Sequence, residues 1–356
     1  MPFLEIHLPK VRENAEKVLS LCKSFGIEVV GVTKVSLGDP TLAEILRQAG
    51  IKIIAESRIQ NIERLLKNGI EGPFMMIRVP PKSELEKVVQ YCDYILVSEP
   101  QTVEWIEELA QQLSKSPKLI YMVDVGDLRE GVWYKEAVEE IFASFKLCKK
   151  ARIVGIGTNL GCYGGVIPTP ETLAKLISVK EKLTEKGLDV QIVSGGATAT
   201  LRLVEEGKLP PQINQLRIGE AIFLGTDVTN DRVIKWLNQD TFILKAEIIE
   251  IKTKPSVPEG EIGFDAFGRK PQFIDKGPRK RAILALGEQD TVPKQLIPLL
   301  DGAQVIHASS DHTLVDITEC KIDLKLGDFI SFRLSYAALL RAMTCPHVEK
   351  IYMKEE

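Results

Sequence analysis

The stretch Glu28-Val29-Val30-Gly31-Val32-Thr33-Lys34 is a short β-branched run ending in a cation, and an amphipathic stretch, Thr41-Ala49, follows it. A buried strand followed by a helix is the repeating unit of a parallel sheet. Similar apolar runs recur at Lys52-Ala55, Phe74-Val79, Tyr94-Val97, Leu119-Val125, Arg152-Thr158, Val190-Ser194 and Ile213-Arg217, which makes eight. Between them Ser57-Asn68, Ser83-Tyr91, Thr102-Leu113, Lys135-Lys149 and Pro170-Lys186 repeat their apolar residues every three or four positions. Eight such units predict a closed (β/α)8 barrel of the TIM type. An open doubly wound sheet is the alternative, but no Gly-x-Gly-x-x-Gly turn follows the first strand.

Beyond about Asp227 the pattern becomes alternating runs broken by Pro and Gly: Phe242-Lys252, Arg281-Leu286, Gln304-Ala308, Thr313-Ile317 and Phe329-Leu334. The expected organisation is a barrel over residues 9–227 followed by a C-terminal all-β domain over 228–356. The strand-like Phe3-Leu8 is expected to pair with that second domain.

Composition narrows the function. The chain has 356 residues, a formal charge of −3 and basic residues that are scattered along it, so no nucleic acid or anionic membrane is expected as partner. Neither a signal-like N-terminus nor a membrane-length apolar run is apparent, and a cytoplasmic location is expected. The six cysteines form no Cys-x-x-Cys pair, and the four histidines show no i, i+4 spacing, so no metal site is expected.

In a barrel, functional groups belong at the C-terminal ends of the strands. Lys34 ends the first strand. Arg129 follows the fifth in Asp-Leu-Arg-Glu-Gly (127–131), and Asn159 follows the sixth in Asn-Leu-Gly-Cys-Tyr-Gly (159–164). Ser194, Gly195, Gly196 and Thr198 follow the seventh, while Arg217, Gly219 and Glu220 end the eighth. Small residues with exposed amides after strands seven and eight suit a phosphate. A lysine beside other cations in a poorly solvated mouth loses its proton more easily and can condense with an aldehyde. Lysine, arginine and phosphate nest together suit pyridoxal 5'-phosphate.

On these residues the sequence resembles the fold-type III pyridoxal-phosphate family of alanine racemase, a barrel plus a β-domain assembled as a head-to-tail homodimer with shared active sites. Val-Ser-Gly-Gly (193–196), residues 260–271, residues 280–291 and Ala-Ser-Ser-Asp-His (308–312) look most like bacterial ornithine racemases. The resemblance implies a racemase of L- and D-ornithine or a related basic amino acid such as lysine. It makes Lys34 the Schiff-base lysine and Arg217 the arginine facing the pyridine nitrogen, where a group that holds its proton discourages transamination. Arg129 takes the place beside the phenolic oxygen and the substrate carboxylate, and Asn159 lies among the cofactor contacts. Ser194, Gly195, Gly196, Thr198, Gly219 and Glu220 match the phosphate loops, and Tyr336 matches a phosphate-contacting tyrosine of the β-domain.

Two departures stand out. The segment that supplies a catalytic tyrosine across the dimer in alanine racemase reads Gly287-Glu288-Gln289-Asp290 here, and Gly38 stands where that enzyme places a tyrosine on the phosphate. Proton transfer on both faces of the α-carbon therefore needs another group. His312 is the first candidate, because imidazole exchanges protons near neutral pH; Glu288, Cys162 and Tyr163 are weaker ones. Asp311, next to it, is the candidate for pairing with a distal substrate ammonium. Two rivals share the fold: a basic amino-acid decarboxylase, disfavoured by Arg217, and a non-catalytic pyridoxal-phosphate homeostasis protein. The latter shares the segment 56–61 but stops after the barrel.

Overall fold

The structure, a computed structural model, describes residues 1–354. Eight parallel strands form the first unit: β1 (Glu28–Val32), β2 (Ile53–Glu56), β3 (Phe74–Met76), β4 (Tyr94–Val97), β5 (Lys118–Asp124), β6 (Arg152–Gly157), β7 (Ile192–Ser194) and β8 (Gln215–Ile218). Each pairs with its sequence neighbour, and β8 returns to pair with β1, Arg217 opposite Val30. The sheet is thus a closed (β/α)8 barrel. A short strand, Val132–Trp133, lies against β5 outside the ring.

Alternation decides what fills the interior. Val30, Val32, Ile53, Ala55, Met75, Leu96, Ile120 and Met122 form one buried cluster, with Ile77, Tyr94 and Ile192 against it. Removing each such side chain from water contributes roughly 1.5–3 kcal/mol. Residues of opposite parity, such as Ile54, are also buried, under the helices. This two-sided burial explains why the strands read as continuous apolar runs.

Local signals set the element ends. Asp39 caps the helix Pro40–Gln48 by accepting from the Leu42 amide at 2.9 Å, with proline at the first helical position. Thr169 caps Pro170–Glu185 in the same way, its side chain and that of Thr172 serving each other's amides. The first strand stops at Val32, two residues before the sequence pattern suggests, because Lys34–Ser36 forms a 3-10 turn closed by Leu37 at φ +57°.

The barrel unit runs from Val11 to Asn238, so residues 228–238, placed above with the second domain, cluster with the barrel. The hairpin Thr226–Asp227/Arg232–Val233 explains this. Arg232 makes two 2.8 Å bonds to Glu205 and one of 3.0 Å to the buried Asp227, and Asn14 accepts from the Asn238 amide at 2.7 Å.

The second unit comprises Met1–Lys10 and the chain from Gln239. Its antiparallel sheet has the order Leu296–Pro298, Phe329–Leu334, Phe242–Pro255, Pro278–Leu284, Thr313–Asp316, Gln304–Ala308. Phe3–His7 pairs antiparallel with Phe242–Pro255 and parallel with Glu349–Met353. One helix, Tyr336–Thr344, joins the sheet; Ser335 caps it, and Ala338, Leu339, Ala342 and Met343 are its buried stripe.

Candidate active site

Lys34 is half-buried on the turn that follows the inward-facing Val30 and Val32 of β1. On β8, the neighbour of β1 in the barrel wall, Arg217 is 3% exposed. Its guanidinium donates to the Ser194 hydroxyl, to the Thr158 carbonyl at 2.7 Å and to Asn159 Oδ1 at 2.6 Å. Burial pushes Arg217 down to about 10, which leaves it cationic at neutral pH. Asn159 bridges, since its amide nitrogen donates to Glu130, a residue also gripped by Arg129.

The loop carrying Arg129 is built on two carboxylates. Asp124 accepts from the amides of Gly126 at 2.8 Å and Leu128 at 3.2 Å. Asp127, 1% exposed, accepts from the amides of Gly161, Cys162, Tyr163 and Val166 at 2.8–3.1 Å. Burial works to raise the Asp127 pKa, but the four amides outweigh it and hold the carboxyl below its ordinary value. The loops after β5 and β6, with Arg129 on one and Asn159 on the other, are therefore fastened through one side chain. Asp127→Asn turns an acceptor-only group into one whose carboxamide NH2 faces backbone donors, and a loss of about 1–3 kcal/mol is expected in urea unfolding. Because the Asp127 pKa is depressed, its contribution is present above the unfolded-state pKa near 4 and disappears as pH falls through the lower folded value. The Asn variant is expected to lose that part of the acid dependence.

After β7 and β8 the chain becomes a backbone cradle. Gly196 has φ +109°, and a side chain at Gly219 would place its Cβ 2.8 Å from the Val32 carbonyl oxygen. Thr198 Oγ1 accepts from the Ala221 amide at 3.2 Å and ties the two loops together. Among the described residues, the amides of Gly196, Ala197, Gly219 and Glu220 have no acceptor. The Glu220 carboxyl turns away to Thr226 and the Val228 amide, and burial pushes it up to about 7. Unmatched amides, an accepting Ser194 hydroxyl with its own hydrogen to give, a lysine and a buried arginine fit the phosphate, aldehyde and ring of pyridoxal phosphate.

The remaining candidates lie in the second unit. Asp311 and His312 are exposed on the loop before Thr313–Asp316; Asp311 accepts from Gln289 and, at 2.5 Å, from the Ser310 hydroxyl. Tyr336 is half-buried at the first position of its helix. Glu288, a weaker base candidate, is held by Arg269 at 2.9 Å. Of the others, Tyr163 is 75% exposed, and burial, the largest influence, raises the Cys162 thiol pKa although Arg129 and Lys34 oppose it. Asp127, Glu130 and Glu56 escaped the sequence reading as site builders; the signal was an acidic residue at or just past a strand end.

Residues 6–227 match the family model described as alanine racemase, N-terminal domain. The chain belongs to the alanine racemase family. As a member of it, the protein is a pyridoxal-phosphate-dependent amino-acid racemase, an isomerase. Among its relatives is the lysine racemase of Thermotoga maritima, 55% identical over 352 residues, covering 99% of this chain and 98% of the relative. The ornithine racemase of Acetoanaerobium sticklandii is 40% identical over 350 residues, covering 98% and 99%. Alanine racemase of Clostridium difficile 630 superposes with a TM-score of 0.73 over 99% of this chain and 95% of that one. At 21% identity that likeness shows the fold alone. No helix among the described residues is long and apolar enough to cross a membrane.

Proposed function

We propose that this member of the family racemises a basic amino acid, lysine first and ornithine second. The carrying observation is the 55% identity to a lysine racemase along nearly the whole chain, against 40% to an ornithine racemase. Ornithine, the leading expectation from the motifs, thus moves to second place.

Bound pyridoxal phosphate supplies an electron-withdrawing ring that acidifies the substrate's α-C–H bond. Lys34 holds the cofactor and then exchanges the proton on one face of the α-carbon. Arg217, which keeps its protons, would hold the ring nitrogen of the bound cofactor without giving it one. Arg129 orients the substrate carboxylate, while Ser194, Gly195, Gly196, Thr198, Gly219, Glu220 and Tyr336 bind phosphate through amides and hydroxyls. Asn159 supports Arg217. His312, supplied by a second copy of the chain in a head-to-tail homodimer, serves the other face, and Asp311 pairs with the distal ammonium.

Single L-enantiomers of lysine, ornithine, arginine, alanine and serine in D2O, followed by optical rotation and loss of the α-proton, test the substrate reading. Lysine is expected to exceed alanine in kcat/KM by at least about a hundredfold, because alanine has no distal ammonium to pair with Asp311. Equal or faster turnover of alanine overturns it. His312→Asn is expected to slow lysine racemisation by about 10²–10⁴ while leaving cofactor content unchanged. Wild-type turnover in that variant removes His312 from the mechanism.

A further inference from the structure

Glu56 is the last residue of β2, fully buried at 0% exposure, and has no part in the mechanism above. Its neighbour Ala55 pairs with Val32, so Glu56 lies opposite Thr33, the residue before Lys34. Thr33 Oγ1 donates to one carboxyl oxygen at 2.6 Å. The other oxygen accepts from Asn61 Nδ2 at 2.9 Å and from the Ser57 amide at 3.3 Å. The Asn61 and Ser57 nitrogens can only donate to this carboxyl, while the Thr33 hydroxyl can donate or accept.

The same contacts clamp the lysine-bearing turn. The Thr33 amide donates to the Ala55 carbonyl at 3.1 Å, and the Thr33 carbonyl accepts from the Ser36 hydroxyl at 2.9 Å and the Ser36 amide at 3.0 Å. Arg64 donates to the Leu37 carbonyl at 3.0 Å. Gly38, at φ +59°, packs so closely that a Cβ there would be 2.9 Å from Asn61 Cβ. The turn of Lys34 and the turn after β2 are thereby docked, with the carboxyl at their junction.

We infer that Glu56 is a positioning residue for Lys34, fastening the turn that carries it. An apolar pair could fasten two strand ends by packing alone; a carboxyl bonded to Thr33 on one turn and to Asn61 and Ser57 on the other also fixes the direction of each. Burial raises the Glu56 pKa, and the Asn61, Thr33 and Ser57 bonds offset that rise only in part. The inference rests on Lys34 as the cofactor-bearing residue and is independent of which amino acid is the substrate.

The test strips pyridoxal phosphate from the full-length protein and follows its reincorporation by visible absorbance, beside the affinity for pyridoxamine phosphate, which carries the same phosphate but no aldehyde to condense with a lysine. Borohydride trapping and peptide mapping identify the modified lysine. Glu56→Ala is expected to slow incorporation by about tenfold with the pyridoxamine phosphate affinity unchanged, and Glu56→Gln, which keeps an acceptor for Thr33, to recover part of the rate. Thr33→Val, which removes one of the bonds, is expected to slow incorporation less and serves if Glu56→Ala does not fold. Incorporation at the wild-type rate in Glu56→Ala, or an equal loss of incorporation and of pyridoxamine phosphate affinity, overturns the positioning role. Trapping on another lysine in the wild type overturns the reading of Lys34 itself, and this inference with it.

Discussion

Replacing Lys34 with Ala is expected to reduce racemisation by more than about a thousandfold and to abolish borohydride trapping of pyridoxal phosphate on the chain. The size follows from two losses at one position. Lys34 stands half-buried on the turn after β1, at the C-terminal end of the barrel strands, and the adjacent strand β8 carries Arg217. Without it the cofactor is held only by the phosphate cradle and the polar contacts of the wall, and one face of the α-carbon has no proton carrier. The remaining cradle should still bind the cofactor reversibly, so equilibrium dialysis is expected to show weakened uptake. A small external amine such as methylamine is expected to restore a measurable part of the rate, because it replaces the missing functional group and leaves the wall intact. Lys186→Ala, on the exposed end of the helix before β7, is the control and should behave as wild type. Trapping that persists in Lys34→Ala, on whichever lysine, would sink the assignment.

How far this site could be read in advance depends on what kind of order places each residue. Lys34, Arg129, Ser194 and Arg217 are legible because strand ends are legible: β-branched runs stop, and the next polar residue lies at the barrel mouth. The partners of Glu56 and Asp127 are not, because they depend on register between neighbouring strands. Thr33 meets Glu56 because Val32 pairs with Ala55, and a hydrophobic period of two carries no information on that offset. Asp127 gathers amides from residues 161 to 166, a contact between loops whose paths periodicity does not describe.

The second unit shows the same division. Its long strands alternate cleanly, but Leu296–Pro298 is three residues long and offers too short a pattern. The helix Tyr336–Thr344 directly continues the apolar strand Phe329–Leu334, and only Ser335 as a cap, with burial at 338, 339, 342 and 343, separates them. Substrate choice is less legible still. Lysine and ornithine differ by one methylene, which a pocket discriminates by only about 1–3 kcal/mol, and no motif encodes the depth of a pocket.

Arg217→Glu is expected to change the kind of reaction as well as its speed. Racemisation should fall by about 10²–10³, while keto acid formed per racemisation event rises at least about tenfold. The native guanidinium can only donate, and all three of its protein partners, the Ser194 hydroxyl, the Thr158 carbonyl and Asn159 Oδ1, are acceptors. Although burial draws its pKa down to about 10, it keeps its protons near neutral pH, so a ring nitrogen bound against it, as proposed, would be left without one. Negative charge developing on the α-carbon would then be spread less widely, and return of the proton to that carbon would be favoured. A carboxyl at the same buried position would meet the Thr158 carbonyl and Asn159 Oδ1 as acceptors and a single hydroxyl as donor, so burial would favour its protonated form, which could share its proton with the ring nitrogen. Charge would spread over the ring, and protonation elsewhere would divert substrate to keto acid. Breaking this buried network costs about 3–5 kcal/mol, so loss of fold must be separated from change of chemistry. Arg217→Lys separates them: it keeps the charge, loses the fork that reaches three acceptors, and is expected to lower stability and rate without raising the keto-acid ratio. Measuring that ratio in both variants, each shown to be folded by thermal unfolding, decides the matter. A Glu variant that is folded and slow yet yields no extra keto acid would mean that Arg217 shapes the wall without governing where the proton goes.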